Sequence, residues 1–182
     1  MERNFTLVIL FAALICALGF VPPVTLVSGV PISAQSLGVM LAGAVLGASR
    51  GALAVVVVIG LVALGLPVLA GGRGGLGVFA GPTVGFLLGW IPAAWVTGAV
   101  VSRLNTRYVG IAAGIASVIG GIGVLYLCGT IGMMIVLKKT FAEALLLSLP
   151  FIPGDLIKAV VAGWITTMIA RYRPGALLSR AG

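Results

Sequence analysis

Asp155 and Lys158 lie three residues apart in "PFIPGDLIKAV", residues 150–160, in a chain whose 182 residues include only three acidic side chains. On a helix that spacing puts both on one face. Inside an apolar segment ionisable groups are costly, so they pair with one another or line a cavity. A mutual ion pair would hold a helix bundle together but leaves Pro150, Pro153 and Gly154 unexplained. Those residues loosen the helix just outside Asp155, and irregular backbone at membrane depth is tolerated where it borders a water-filled or ligand-filled site. The combination favours a binding site.

A second polar feature is "GGRGGLGVFAGPTVGFLLGW", residues 71–90. Arg73 supplies a guanidinium, Gly74 and Gly75 let backbone approach a guest closely, and Gly81-Pro82-Thr83 interrupts the apolar helix beside it. An ordinary connecting turn is the plainer alternative. A nucleotide loop is excluded, because the GxxxxGK[ST] pattern is missing. Gln35 and Ser36, entering a helix after another connection, could hydrogen-bond a solute or cap that helix. Among the aromatic residues Phe79 and Tyr126 are further candidates, whereas Phe86, Trp90 and Trp164 suit packing or an interface belt.

These groups must be positioned by membrane helices. The chain is 61% hydrophobic and 8% charged, with a mean hydropathy of +1.30, too little polar surface for a soluble globule of this size. It reads as one integral membrane domain over residues 1–182. The net charge of +8 does not point to nucleic acid, since the basic residues form no cluster interleaved with aromatics. Cys16 and Cys128 stand alone in apolar runs, with no disulfide or metal spacing, and the chain has no histidine. Neither a nucleophile-plus-base set nor paired carboxylates appear, which disfavours an intramembrane enzyme.

Six apolar segments emerge, roughly Phe5–Phe20, Gln35–Ala48, Gly51–Leu66, Val78–Ser102, Val109–Leu137 and Phe141–Ala170, and they predict an all-α, polytopic fold with six transmembrane helices. A turn at Ser49-Arg50-Gly51 separates the second from the third. The positive-inside rule puts both termini in the cytoplasm, with Arg3, Arg50, Arg103, Arg107, Arg171, Arg173 and Arg180 inside and Arg73, Lys138 and Lys139 outside. Three irregular connections, Val21–Ala34, Pro67–Gly77 and Lys138–Gly154, then face outward. In the first segment Ala13 and Ala17 form a small-xxx-small pair that lets another helix approach.

Three blocks, "VPISAQSLGVMLAGAVLGASRGALA" at 30–54, "GLPVLAGGRGGLGVFAGPTVGFLLGW" at 65–90 and "FIPGDLIKAVVA" at 151–162, resemble the biotin transporter family BioY, the substrate-capture subunits (S components) of energy-coupling-factor transporters. The likeness covers nearly the whole chain, and GGxGG followed by GPTxG is its most specific part. Ser36 stands where many relatives carry Thr, and Phe86 where Tyr is common.

The resemblance implies a six-helix subunit of the inner membrane that holds one biotin in a pocket closed by outer loops. It implies docking through Ala13 and Ala17 onto a transmembrane coupling protein driven by two ABC-type ATPase subunits, with no cofactor of its own and ATP used by those partners. Within it, Asp155 would accept from the ureido N–H groups, while Lys158 or Arg73 would meet the carboxylate or the ureido oxygen. Alternatives are an S component or a stand-alone carrier for another vitamin-like solute, or a structural membrane subunit.

Overall fold

Each long apolar run becomes helix, because backbone surrounded by hydrocarbon must satisfy its N–H and C=O groups within the segment. The computed structural model describes residues 2–22, 24–25, 31–104 and 106–180. The first irregular connection, Val21–Ala34, and the opening Val30 of the first motif block therefore lie partly outside the described residues. The helices are α1 (Glu2–Gly19), α2 (Gln35–Leu46), α3 (Ala48–Ala63), α4 (Val84–Arg103), α5 (Val109–Val118), α6 (Leu125–Leu137), α7 (Phe141–Ser148) and α8 (Ile152–Tyr172). Besides the helices, the described residues hold a two-residue antiparallel pairing, β1 (Val24–Thr25) with β2 (Pro31–Ile32), and an isolated antiparallel bridge between Leu69 and Arg73.

Among the described residues four stretches are long and apolar enough to cross a membrane: Glu2–Gly19, Val84–Arg103, Val109–Leu137 and Phe141–Tyr172. α2 and α3 are apolar but shorter. They are two helices, as expected, although the break falls at Gly47 and not at Ser49-Arg50-Gly51. Gly47 adopts φ 85°, ψ 179°, a conformation closed to residues with a Cβ, so Ser49, Arg50 and Gly51 continue as the first turns of α3.

The Lys138–Gly154 connection is also more regular than expected. Thr140 accepts from the Glu143 backbone N–H while the Glu143 carboxylate accepts from the Thr140 N–H. This capping box starts α7, and only a 3-10 turn at Leu149–Phe151 separates α7 from α8. Pro150 and Pro153 cannot donate to a helix ladder, so the bend falls just ahead of Asp155.

α5 passes into α6 through a π turn at Ile119–Val124. Such turns shift the register of the following helix, and here Tyr126 opens that next stretch. Small residues bring the helices together: a Cβ on Gly132 of α6 would meet Gly85 of α4 backbone to backbone, and one on Gly121 would run into the Met40 side chain. The core around them contains Ile15, Met40, Val55, Val58, Ala93 and Met133, all fully buried.

Charge separates along the bundle. Arg3 of α1 lies beside Gly175 after α8, so the start of α1 and the stretch after α8 share one end of the molecule. There the Arg180 guanidinium donates to the carbonyls of Leu104 and Thr106, each at 2.7 Å, and covers the open C-terminus of α4. At the opposite end are the α3–α4 connection, with Arg73, and the α6–α7 turn, where Lys138 takes a left-handed conformation (φ 52°).

Candidate functional site

A cavity opens between the starts of α2, α4 and α8, the start of α6 and the segment 69–73. Among the expected residues Gln35, Ser36, Arg73, Thr83, Tyr126, Asp155 and Lys158 all line it. Gly74, Gly75 and Phe79 do not.

Asp155 sits in the first turn of α8 and is 6% exposed. Its Oδ1 accepts from Lys158 Nζ at 2.8 Å and from Ser36 Oγ at 3.1 Å, and its Oδ2 accepts from the Tyr126 hydroxyl at 2.7 Å. Lys158 Nζ also donates to the Ser33 carbonyl at 2.7 Å and to Ser36 Oγ at 3.0 Å. The ammonium thus spends all three protons on the protein, whereas the carboxylate, with about four acceptor positions, keeps one, on Oδ2. The ion pair weighed from the sequence is present, and it is also cavity wall. Burying such a pair is costly unless further hydrogen bonds complete it, which Ser33, Ser36 and Tyr126 do here.

Arg73 differs. Its Nε donates to the Ala70 carbonyl at 3.1 Å and one terminal nitrogen donates to Thr83 Oγ1 at 3.3 Å. Of the five guanidinium N–H groups, three therefore have no protein acceptor among the described residues. Burial lowers its pKa, yet an arginine remains cationic at neutral pH. Thr83 makes no cap hydrogen bond to α4; its hydroxyl steadies Arg73 instead.

Gln35 reaches the cavity edge, but its amide is committed elsewhere. Nε2 donates to the carbonyls of Ile15 (3.1 Å) and Val68 (3.0 Å), and Oε1 accepts from the Ala70 N–H at 2.9 Å. Neither a cap nor a free solute contact, it ties α1, α2 and the segment carrying Arg73 into one unit. We expect Gln35→Leu to deprive three backbone groups of their partner, two of them buried, at about 1–3 kcal/mol for each buried one. A melting-temperature loss with a milder loss of ligand affinity than for Asp155 variants, measured by calorimetry and titration, would fit this holding role.

Gly74 and Gly75 shape the loop from behind. A Cβ on Gly74 would strike the Leu66 carbonyl, whereas one on Gly75 would meet open space. Gly75 is demanded by its φ of 78°, and its N–H donates to the Val62 carbonyl at 2.8 Å. Gly75→Val is expected to weaken ligand binding by roughly fivefold to thirtyfold, from about 1–2 kcal/mol of left-handed strain, while insertion stays normal. Unchanged affinity in a folded variant would remove the loop from the site. Phe79, in the 3-10 turn Leu76–Ala80, packs on the apolar core without reaching the cavity.

The sequence did not single out Ser33, whose backbone carbonyl does the work, nor the apolar wall of Leu69, Leu87, Leu125 and Phe151. Phe86 and Trp90, assigned to packing or an interface, line the cavity too. Residues 83, 86, 87 and 90 follow the helical 3–4 spacing of a single face, which was the available signal. Phe86 stands edge-on to Tyr126, with ring centroids 6.1 Å apart and planes at 81°. An apolar chamber with a few convergent polar groups is the usual form of a small-molecule site. Ala13 and Ala17 lie on the exposed side of α1, away from this chamber.

Comparisons with known proteins agree with this architecture. Residues 2–175 match the model of the BioY family. The chain is 60% identical to the biotin transporter BioY of Rhodobacter capsulatus, covering 99% of this chain and 100% of the relative. It is 55% identical to the biotin transporter BioY of Rhizobium etli, over 88% and 89% of the two chains. A crystal structure of the S component for biotin from an ECF-type ABC transporter superposes with a TM-score of 0.87 at 29% identity, covering 93% of this chain and 92% of that one. With a family match over nearly all its length, and relatives this similar from end to end, the chain belongs to the BioY family.

Proposed function

We propose that this protein captures biotin and serves its uptake across the membrane as the S component of an ECF-type transporter; it is a transport protein and not an enzyme. The observation that carries the reading is the buried Asp155, held by three donors and keeping one acceptor position toward the cavity. A ureido N–H can fill that position, the apolar wall can cover the bicycle, and the uncommitted N–H groups of Arg73 suit a carboxylate. Lys158 is fully occupied, so Arg73 is assigned the carboxylate and Lys158 the task of fixing Asp155 and Ser36.

In this reading all six apolar segments cross the inner membrane and both termini are cytoplasmic, supported by the gathering of the arginines at the end shared by the start of α1 and the stretch after α8. The exposed Ala13 and Ala17 face a transmembrane coupling protein, and ATP is consumed by ABC-type ATPase subunits of the same assembly.

Calorimetric titration of the purified, monodisperse protein with biotin tests the assignment. Saturable binding that thiamine, riboflavin and pantothenate fail to displace is expected. Displacement by one of those vitamins, or no biotin binding, would redirect the assignment to another solute or to a structural role.

A further inference from the structure

On the lipid-facing side, away from the cavity, α5 and α8 enclose a furrow of about 850 Å³. Its floor is low because the two backbones touch: a Cβ on Gly163 would press on the Gly110 carbonyl. Over Gly114 the space stays open, since a Cβ there would find only the Ala159 carbonyl, at 3.7 Å. Ile115 and Trp164, 48% and 64% exposed, stand as side walls. From Leu156 to Arg171 the furrow runs about 22 Å along α8 at 1.5 Å per residue, longer than the roughly 15 Å of one leaflet of a 30 Å hydrocarbon core.

Arg107 and Arg171 border one end of it. The one ion pair among the described residues joins Lys158 to Asp155, so neither arginine has a carboxylate partner among them. Arg171 lies 5.5 Å from the Tyr172 ring centroid, a contact with a ring face that takes none of its N–H groups. An apolar furrow of acyl-chain length ending in two unpaired guanidinium groups calls for a ligand with a hydrocarbon tail and an anionic head. We propose that this groove binds one anionic phospholipid, its phosphate between Arg107 and Arg171 and one acyl chain over Gly114. The inference rests on the membrane placement and not on which solute the cavity holds.

A packed helix from a second copy or a partner protein is the competing occupant. Such a helix, about 10 Å wide, would have to bring its own acid to both guanidinium groups, whereas a phospholipid presents its phosphate at that level of the bilayer in any case.

The test uses the full chain in mild detergent, exchanged against mixed micelles of phosphatidylglycerol and phosphatidylcholine with matched acyl chains, and native mass spectrometry of the retained lipid. Each arginine near an anionic headgroup supplies about a fivefold preference, so phosphatidylglycerol should be retained roughly twenty-five-fold over phosphatidylcholine. Arg107→Gln with Arg171→Gln should erase that preference, and Arg103→Gln, equal in sign of charge lost per residue but outside the furrow, should keep it. Gly114→Leu should fill the groove and release both lipids. All these variants should bind biotin as the native chain does. Equal retention of the two lipids, an unchanged preference in the double variant, an equal loss in Arg103→Gln, or lipid held by a folded Gly114→Leu would overturn the proposal. So would cross-linking of two copies through Val160→Cys that persists in excess phosphatidylglycerol. Should Gly114→Leu fail to fold, the arginine pair still decides.

Discussion

Asp155→Asn should lower biotin affinity by about a hundredfold or more, equivalent to about 2.7 kcal/mol. The native carboxylate accepts on both oxygens, from Ser36 and Lys158 on one and from Tyr126 on the other. An amide offers one acceptor oxygen; with that oxygen toward Ser36 and Lys158, its NH2 donates to the Tyr126 hydroxyl oxygen and turns its second N–H to the position where the carboxylate would accept from a ureido N–H, so donor faces donor there. It also strips Lys158 of its counter-charge, and breaking a buried pair from one side costs about 3–5 kcal/mol of stability. Melting curves must therefore accompany the titration. Tyr126→Phe provides a gentler control: it removes one hydrogen bond to Oδ2, leaves the ion pair intact, and should cost about tenfold in affinity through a less firmly held carboxylate. A folded Asp155→Asn protein that binds biotin within a few-fold of native would place the ureido site elsewhere.

Arg73→Gln should weaken biotin binding by about tenfold to a hundredfold, the span expected for a charged hydrogen bond worth about 1.5–3 kcal/mol. The informative comparison is with biotin methyl ester, which keeps the ring system and loses the negative charge. Native protein should prefer the acid over the ester, and Arg73→Gln should bind the two nearly alike. Arg73→Lys should recover charge but not the two-pronged guanidinium geometry, and so restore only part of the preference. If the acid-over-ester preference survives Arg73→Gln undiminished, the carboxylate lies against another group. Because Arg73 also holds the Ala70 carbonyl and Thr83, equal losses for acid and ester would mean a collapsed loop and not a lost charge pair.

The legible parts of the sequence were those in which spacing alone carries meaning. Asp155 and Lys158, three residues apart, had to share a helix face. Arg73 among glycines had to be a polar loop, but Gly81-Pro82-Thr83, read as an interruption within a helix from Val78, instead marks its start: a 3-10 turn covers Leu76–Ala80 and α4 begins only at Val84. What could not be read was partnership across distance. Ser36 meets Asp155 from 119 residues away, and Gln35 looks like a solute ligand until its partners prove to be backbone groups, which every residue type possesses. The same limit hid the Ser33 carbonyl. Two features were written locally and passed over: the Thr140–Glu143 capping box that starts α7, and the 83, 86, 87, 90 face that brings Phe86 and Trp90 to the cavity. The π turn is different in kind, since "IGGIGV" permits the extra residue in a turn without requiring it. Gly47 shows the boundary problem in small: three glycines lie within residues 43–51, and only the folded backbone reveals which one takes the positive φ.

Arg180 adds a constraint of timing. Its bonds to Leu104 and Thr106 reach back 76 and 74 residues. At about 5–20 residues per second of synthesis, those two carbonyls wait roughly 4–15 s for their guanidinium. During that interval α4 is already made and its end stands open, while α5, α6 and α8 are still emerging from the ribosome. The carbonyl end of α4 can therefore be covered only after α8 has been made, so this base of the bundle closes late.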